Sequence, residues 1–144
     1  MSFQELNSFN AEVKKQEQRI AKLKNHGSAR DIDRLESFLS FVKSNPTTTY
    51  YPIYKIKSAS NITTLDGVLS LVEFFSSLLE VNYCYFTLDD DEFIRISKES
   101  YISAVTEQVI PIDLFTGKEI KNYNPNNLSF FCTLSMYQYG ASSV

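Results

Sequence analysis

The chain has 144 residues, of which 43% are hydrophobic and 14% aromatic, and its formal net charge is −3. This length fits one compact domain, or a small domain with an appendage, and the hydrophobic content excludes an intrinsically disordered chain. The most apolar stretch, residues 65–81, contains Asp66, Glu73 and Glu80 and is therefore too charged to span a bilayer. Because no signal peptide is recognised at the N-terminus, we expect a cytoplasmic protein, located in the host-cell cytoplasm if it is viral.

Residues 3–24 predict an amphipathic helix. Its apolar residues recur at the a and d positions of a heptad, with Gln16 as the polar exception. This pattern is typical of coiled-coil pairing, so we predict a homo-oligomer whose seam is formed by Leu6, Phe9, Val13, Ile20 and Leu23.

A second helix is predicted between Gly27 and Pro46, because Gly is common just past a helix end and Pro disfavours helix at the residue before it. Together the two helices predict an antiparallel helical hairpin over residues 1–46, followed by an α+β domain over residues 47–144. Two helices alone bury too little surface to be stable. The hairpin must therefore pack on the rest of the chain or on another subunit.

Charge divides unevenly along the chain. Residues 1–46 carry eight Lys/Arg against six Asp/Glu, a balance of +2, whereas residues 47–144 carry six against eleven, a balance of −5. The first helix holds five of the eight basic residues of residues 1–46, and such a patch favours an acidic partner, including nucleic acid. The predicted basic patch consists of Lys14, Lys15, Arg19, Lys22 and Lys24.

The remaining elements predict an α+β fold, a mostly antiparallel sheet packed on one central helix. Residues 49–57 predict a strand at an edge or at its start, because Pro52 cannot donate to a central ladder. Residues 65–80 are apolar on nearly every side, which indicates a helix buried at the centre of the domain.

The second half of the chain predicts a β-hairpin from residues 82–88 and 93–97, and a last strand over residues 128–139. The acidic run Asp89–Glu92 lies at the bend of the hairpin, where Asp suits turn geometry. The pattern of residues 98–107 fits both a helix and a strand.

Alternation of side chains along these strands predicts a core face and a second face that mixes aromatic rings, hydroxyls and one Arg. Such a composition is common at interfaces. Three kinds of group could pack on this face: the helical hairpin of the same chain, a second protein or second copy of the chain, or stacked nucleobases. The partner-binding residues predicted on it are Tyr83, Tyr85, Arg95, Phe131 and Tyr137.

Catalytic and metal-binding patterns are weak. The sole histidine, His26, lies beside a glycine at the predicted hairpin tip, and Cys84 and Cys132 sit in apolar runs that predict buried thiols. Phosphate-binding Gly loops and calcium-loop spacings are absent from the sequence. We therefore predict no catalytic residue, no metal ligand and no cofactor.

One pattern supports a different chemistry. Pro111-Ile112-Asp113 followed by Glu119-Ile120-Lys121 resembles the P-D…(D/E)-x-K pattern of metal-dependent nucleases, in which two carboxylates hold Mg²⁺. The gap of five residues is short for that family, and a polar turn with charged shoulders explains the same letters.

These observations favour a non-enzymatic protein that self-associates and acts through protein–protein contact. By analogy we expect an accessory or inhibitor protein of a phage or mobile element. A nucleic-acid-binding module using the basic first helix is the main alternative, and a Mg²⁺-dependent nuclease is the third hypothesis.

Overall fold

The computed structural model describes residues 2–26, 29–87 and 93–137. These residues form five α-helices and a four-stranded antiparallel sheet, 54% helical and 18% strand. The predicted α+β class is therefore confirmed. None of the helices in the described ranges is both long enough and apolar enough to cross a lipid bilayer.

The chain divides into two compact units. The first unit contains residues 1–80 and 132–144, and the second contains residues 81–131. The helices predicted over residues 1–46 thus share a unit with the residues that follow them. The predicted division at residue 46 stays a prediction.

Helix α1 spans Phe3–Leu23 and begins at Ser2, whose Oγ accepts a hydrogen bond from the Glu5 N–H at 3.0 Å. This N-cap satisfies one of the amide groups that the first turn leaves without a helical partner. Helix α2 spans Ala29–Ser44. The residues of the predicted turn, 27 and 28, lie outside the described ranges.

Two ion pairs join the helices. The Lys43 Nζ lies 3.4 Å from Glu17, and the Lys24 Nζ lies 3.3 Å from Glu36. Residues later in α1 thus pair with residues earlier in α2, which is an antiparallel arrangement. All four side chains are largely exposed, so these pairs orient the helices more than they stabilise them.

The prediction of a strand over residues 49–57 is wrong after Pro52. Strand β1 spans only Tyr50–Pro52, and helix α3 follows at Ile53–Ser60. Pro52 is extended at φ −69° and ψ 166° and acts as the N-cap of α3, a position where its missing N–H costs nothing. The buried residues of this helix lie three and four positions apart, which is helical spacing, so packing of one helical face decides the structure of the segment; these residues are Ile56, Ala59 and Ser60.

The central helix is shorter than predicted. Helix α4 spans Leu65–Phe74 and does not reach residue 80. It ends because Phe75 leaves the helical region, at φ −92° and ψ 32°, and its carbonyl accepts from the Leu78 and Leu79 N–H groups at 2.9 and 2.8 Å. Phe75 and Leu78 are fully buried. The apolar run predicted as one helix is therefore a helix end, a buried turn and the start of a strand.

Strand β2 spans Leu79–Phe86 and pairs with the short antiparallel strand β3, Phe93–Arg95. The register places Cys84 opposite Arg95, so these two residues share one face of the sheet. The prediction that Arg95 shares a face with Tyr83 and Tyr85 is therefore wrong, because one residue of register exchanges the faces of a strand. The bend between the strands, including Asp89–Glu92, lies outside the described residues.

Residues 98–107 are helical. Helix α5 spans Lys98–Glu107 and is capped by the Ser97 Oγ, which accepts from the Ser100 N–H at 3.0 Å. Its buried residue Tyr101 packs against Tyr83 at 4.9 Å between ring centroids. The N-cap and this contact explain why the pattern resolves as a helix.

Strand β4 spans Leu128–Leu134 and a 3-10 turn, Ser135–Tyr137, follows it, so the predicted strand to residue 139 is too long. Ser135 ends the strand by donating from Oγ to the Ser77 carbonyl at 2.6 Å. The sheet order is β1-β4-β2-β3. Residues of both β4 faces are buried, from Phe130 to Leu134, as expected of an inner strand.

Candidate functional site

The predicted partner-binding face is largely covered by the chain itself. Tyr85 is 5% exposed and Phe131 1% exposed. The Phe131 ring lies 5.2 Å from Phe93, and the Tyr85 hydroxyl accepts from the Asn124 N–H at 2.9 Å. Residues of the second unit therefore contribute to covering both side chains, and the binding of a partner at this face stays a prediction.

The other predicted residues of that face differ among themselves. Tyr83 is half-buried and packs on Tyr101, whereas Arg95 is exposed and donates to the Asn82 Oδ1 at 3.0 Å. The side chain of Tyr137 lies outside the described residues. Of the five predicted residues, Arg95 alone is exposed among those whose side chains are described.

The predicted oligomer seam is mostly buried within one chain. Phe9, Val13 and Ile20 are only 2–3% exposed, whereas Leu23 is half-buried and Leu6 is 39% exposed. The a/d stripe therefore packs on the chain's own first unit over most of its length. The reason is that the same narrow apolar stripe serves an intramolecular core as well as a coiled coil.

The polar exception in that stripe, Gln16, is fully buried in a network of hydrogen bonds. Its Nε2 donates to the Glu12 Oε1 at 2.8 Å and to the Ser77 Oγ at 2.9 Å. Arg19 donates from one NH1 to the Gln16 Oε1 and to the Phe74 carbonyl, both at 2.7 Å. Its guanidinium also lies 4.1 Å from the centroid of the Phe74 ring. This cluster holds α1 in place through satisfied polar groups.

The predicted basic patch is reduced by these contacts. Arg19 belongs to the buried network, and Lys24 forms an ion pair with Glu36. Lys14, Lys15 and Lys22 are exposed and have no partner among the described residues. Three separate cations on an otherwise mixed surface form a smaller electrostatic patch than the sequence predicts.

The residues of the nuclease-like pattern form a turn. The Asp113 Oδ1 accepts from the N–H groups of Phe115 and Thr116, at 2.8 and 3.3 Å, so this carboxylate oxygen is already engaged. Within the described part of the chain, no three His, Cys, Asp or Glu side chains are grouped closely enough to hold a metal ion.

Both cysteines are buried free thiols, as predicted. Burial raises the pKa of Cys84 and of Cys132 to about 12. A nucleophilic thiolate needs a lowered pKa, so these side chains contribute to the core. His26 is exposed, at the end of the first described range.

An exposed apolar surface lies instead in the second unit, on a segment that the sequence presents as a turn. Phe115 is 96% exposed, Leu114 60% and Ile112 47%. Isolated exposed apolar residues are ordinary, but five from one short segment are not. We define the turn surface as Val109, Ile110, Ile112, Leu114 and Phe115.

Hydrogen bonds give the turn a defined shape. The Gly117 N–H donates to the Asp113 carbonyl at 2.8 Å, and the Asp113 N–H donates to the Lys118 carbonyl at 2.9 Å. Gly117 has φ +74°, a left-handed conformation that Gly adopts without steric cost. Ile112 and Glu119 form an antiparallel bridge below the turn. Phe115 is thus presented at the tip of a closed loop.

The segment is also fastened to its own unit. The Ile112 N–H donates to the Ser100 Oγ of α5 at 2.9 Å, and the Leu114 N–H donates to the Arg95 carbonyl of β3 at 2.9 Å. Ile120, just after the turn, is buried. Because hydrogen bonds hold the segment on both sides, the backbone that carries the exposed side chains is pre-organised for contact.

Two open grooves flank Leu114. One, of about 410 Å³, runs along α5 and includes Glu99, Ile112 and Leu114 in its lining. The other, of about 430 Å³, is lined by Phe93, Ile94, Arg95, Asp113, Leu114 and Phe115. The second, which we call the Arg95 groove, combines four apolar residues with one cation and one carboxylate.

Sequence reasoning missed the turn surface, although a signal was present. Leu114 and Phe115 are large apolar residues inside an Asp-to-Gly turn, where polar residues are usual. Nothing in the local pattern separates a turn that buries such residues from one that exposes them.

Comparison of the chain with protein-family models, curated proteins and solved structures finds no match.

Proposed function

We propose that this protein functions by binding another protein chain through the turn surface. The observation that carries the proposal is Phe115, which is 96% exposed on a turn closed by its own hydrogen bonds. Burying such a side chain stabilises a complex by about 1.5–3 kcal/mol, and little backbone conformational entropy is lost because the turn is already formed.

The neighbours of Phe115 support an interface. Large aromatic side chains surrounded by aliphatic ones form the centres of protein interfaces, with polar groups at the rim. Leu114 and Ile112 supply the aliphatic part, and Arg95, Asp113 and Glu99 supply charged groups beside the two grooves. The chemistry of the surface thus favours a protein partner with an apolar contact and a charged margin.

Site-specific photocrosslinking tests the proposal. The photoreactive residue benzoylphenylalanine replaces Phe115 in the full chain, which is expressed in the native host and irradiated. We expect one defined polypeptide to be crosslinked. The matched control places the same residue at Tyr54, which is 72% exposed in the first unit, and should give no such adduct.

Competition makes the test specific. Excess unlabelled wild-type protein should abolish the adduct, whereas the Leu114→Asp variant should compete at least about 10-fold less well. No adduct from position 115, or the same adducts from positions 115 and 54, would refute the proposed function.

A further inference from the structure

We infer that the chain bound by the turn surface is a second copy of this protein, related to the first by a two-fold axis. The inference rests on the proposed protein-binding function and adds the identity of the partner. In this arrangement each copy inserts Phe115 into the Arg95 groove of the other.

Self-complementarity is the first argument. A two-fold interface uses the same surface on both subunits, so that surface must hold both a projection and a recess. The turn surface does so, because Phe115 projects into solvent and also lines one side of a groove of about 430 Å³, which includes Phe93, Ile94 and Leu114. A surface made for a different protein has no need to contain both halves of the fit.

Charge is the second argument. Arg95 and Asp113 line the same groove but are not within ion-pair distance of each other. Arg95 uses one nitrogen for Asn82, and Asp113 uses Oδ1 for the turn. The remaining guanidinium N–H groups and the Asp113 Oδ2 have no partner among the described residues. A two-fold axis can place the Arg95 of each copy near the Asp113 of the other, so opposite charges meet twice.

The Arg95 groove also suits an aromatic side chain. Four of its six lining residues are apolar, and the guanidinium of the exposed Arg95 can lie over an inserted ring in a cation–π contact. Two Phe rings bury about 300–500 Å² between them. A weak, reversible dimer buries about 1,000 Å² in total, so the aliphatic neighbours of both copies must supply the remainder.

The first experiment measures mass in solution. Sedimentation velocity of the purified protein over about 1–200 μM should show a shift from 16.5 kDa toward twice that mass, with a midpoint at roughly micromolar concentration. Phe115→Asp should weaken self-association by about 100-fold or more, because a two-fold axis applies each substitution twice. Phe115→Ser is a second variant without a new charge, and circular dichroism of both should match that of the wild type.

The second experiment locates the contact. Protein with benzoylphenylalanine at position 115 is mixed with an isotopically labelled copy and irradiated. A mixed-isotope dimer crosslinked from position 115 to residues 93–95 of the labelled copy would support the inference.

A wild type that stays at 16.5 kDa throughout, or a dimer that persists in Phe115→Asp, would overturn the inference. If position 115 still crosslinks to another polypeptide in the host, the proposed function stands and only the identity of the partner is wrong. If position 115 crosslinks to nothing, both fail.

Discussion

The buried hydroxyl of Tyr51 gives the sharpest stability prediction. Tyr51 is fully buried, and its ring packs against Phe38 at 5.7 Å and against Phe41 at 6.2 Å between centroids. Its hydroxyl has no hydrogen-bond partner among the described residues. In the unfolded chain that hydroxyl is hydrogen-bonded to water, so folding loses the interaction without replacing it. Tyr51→Phe should therefore stabilise the protein.

The magnitude follows from the group that is removed. An unsatisfied buried hydroxyl costs about 1–3 kcal/mol, and the substitution keeps the ring, so it opens only a small cavity. The free energy of unfolding should rise by about 1–3 kcal/mol. For a chain of this size, each kcal/mol corresponds to a rise in Tm of about 2–5 °C.

Alkaline pH should enlarge the difference. Burial raises the pKa of Tyr51 from 10.0 to about 12. Between these values the unfolded chain loses the proton and the folded chain keeps it, so wild-type stability falls as pH rises from 10 toward 12. The Tyr51→Phe variant lacks this loss, which amounts to about 3 kcal/mol at most for a shift of this size.

Urea unfolding followed by far-ultraviolet circular dichroism, at pH 7 and pH 11, measures both effects. Tyr54→Phe is the matched control because Tyr54 is 72% exposed, and it should change the free energy of unfolding by less than about 0.5 kcal/mol. A Tyr51→Phe variant that is less stable than the wild type by 1 kcal/mol or more would show that the hydroxyl is hydrogen-bonded in solution, and the reasoning would be wrong.

Two further substitutions test the packing of the first unit. Gly67→Ala should destabilise the protein by about 1–3 kcal/mol in thermal unfolding, because a Cβ at this position would lie 2.6 Å from the Ile62 Cγ2. This clash outweighs the higher helix propensity of Ala, which is worth about 1 kcal/mol. A Tm equal to or higher than that of the wild type would contradict the predicted clash. Arg19→Ala should lower the free energy of unfolding by about 2–4 kcal/mol in urea, since it removes two charge-assisted hydrogen bonds and a cation–π contact. Lys15→Ala, on an exposed position of the same helix, should change it by less than about 0.5 kcal/mol, and equal losses in both variants would argue against the buried network.

Local patterns predicted the elements whose signal lies within a few residues. The amphipathic period of α1 indicated its length, and the antiparallel pairing of β2 with β3 was predicted from two short β-prone runs. The α+β class followed from the order of such elements. These features depend on side-chain period and on backbone preferences, which a single sequence carries.

Tertiary packing decided where those patterns were ambiguous. Residues 49–57 were predicted as a strand but are helical after Pro52, and residues 65–80 form a helix, a turn and the start of a strand. A continuous apolar run has no period of its own, so the hydrogen bonds of Phe75 and the burial of Leu78 set its divisions.

The sequence by itself determined the fold class, the α1 stripe and the burial of both thiols. Only the tertiary structure decided which apolar residues are covered. The seam of α1 is used inside the chain, as are Tyr85 and Phe131, whereas Leu114 and Phe115 face outward. The physical reason is that the hydrophobicity of a side chain favours its burial, but the residues that bury it lie far away in the sequence. Among the residues that the structure describes, none removes Phe115 from water, and we therefore base the proposed function on this residue.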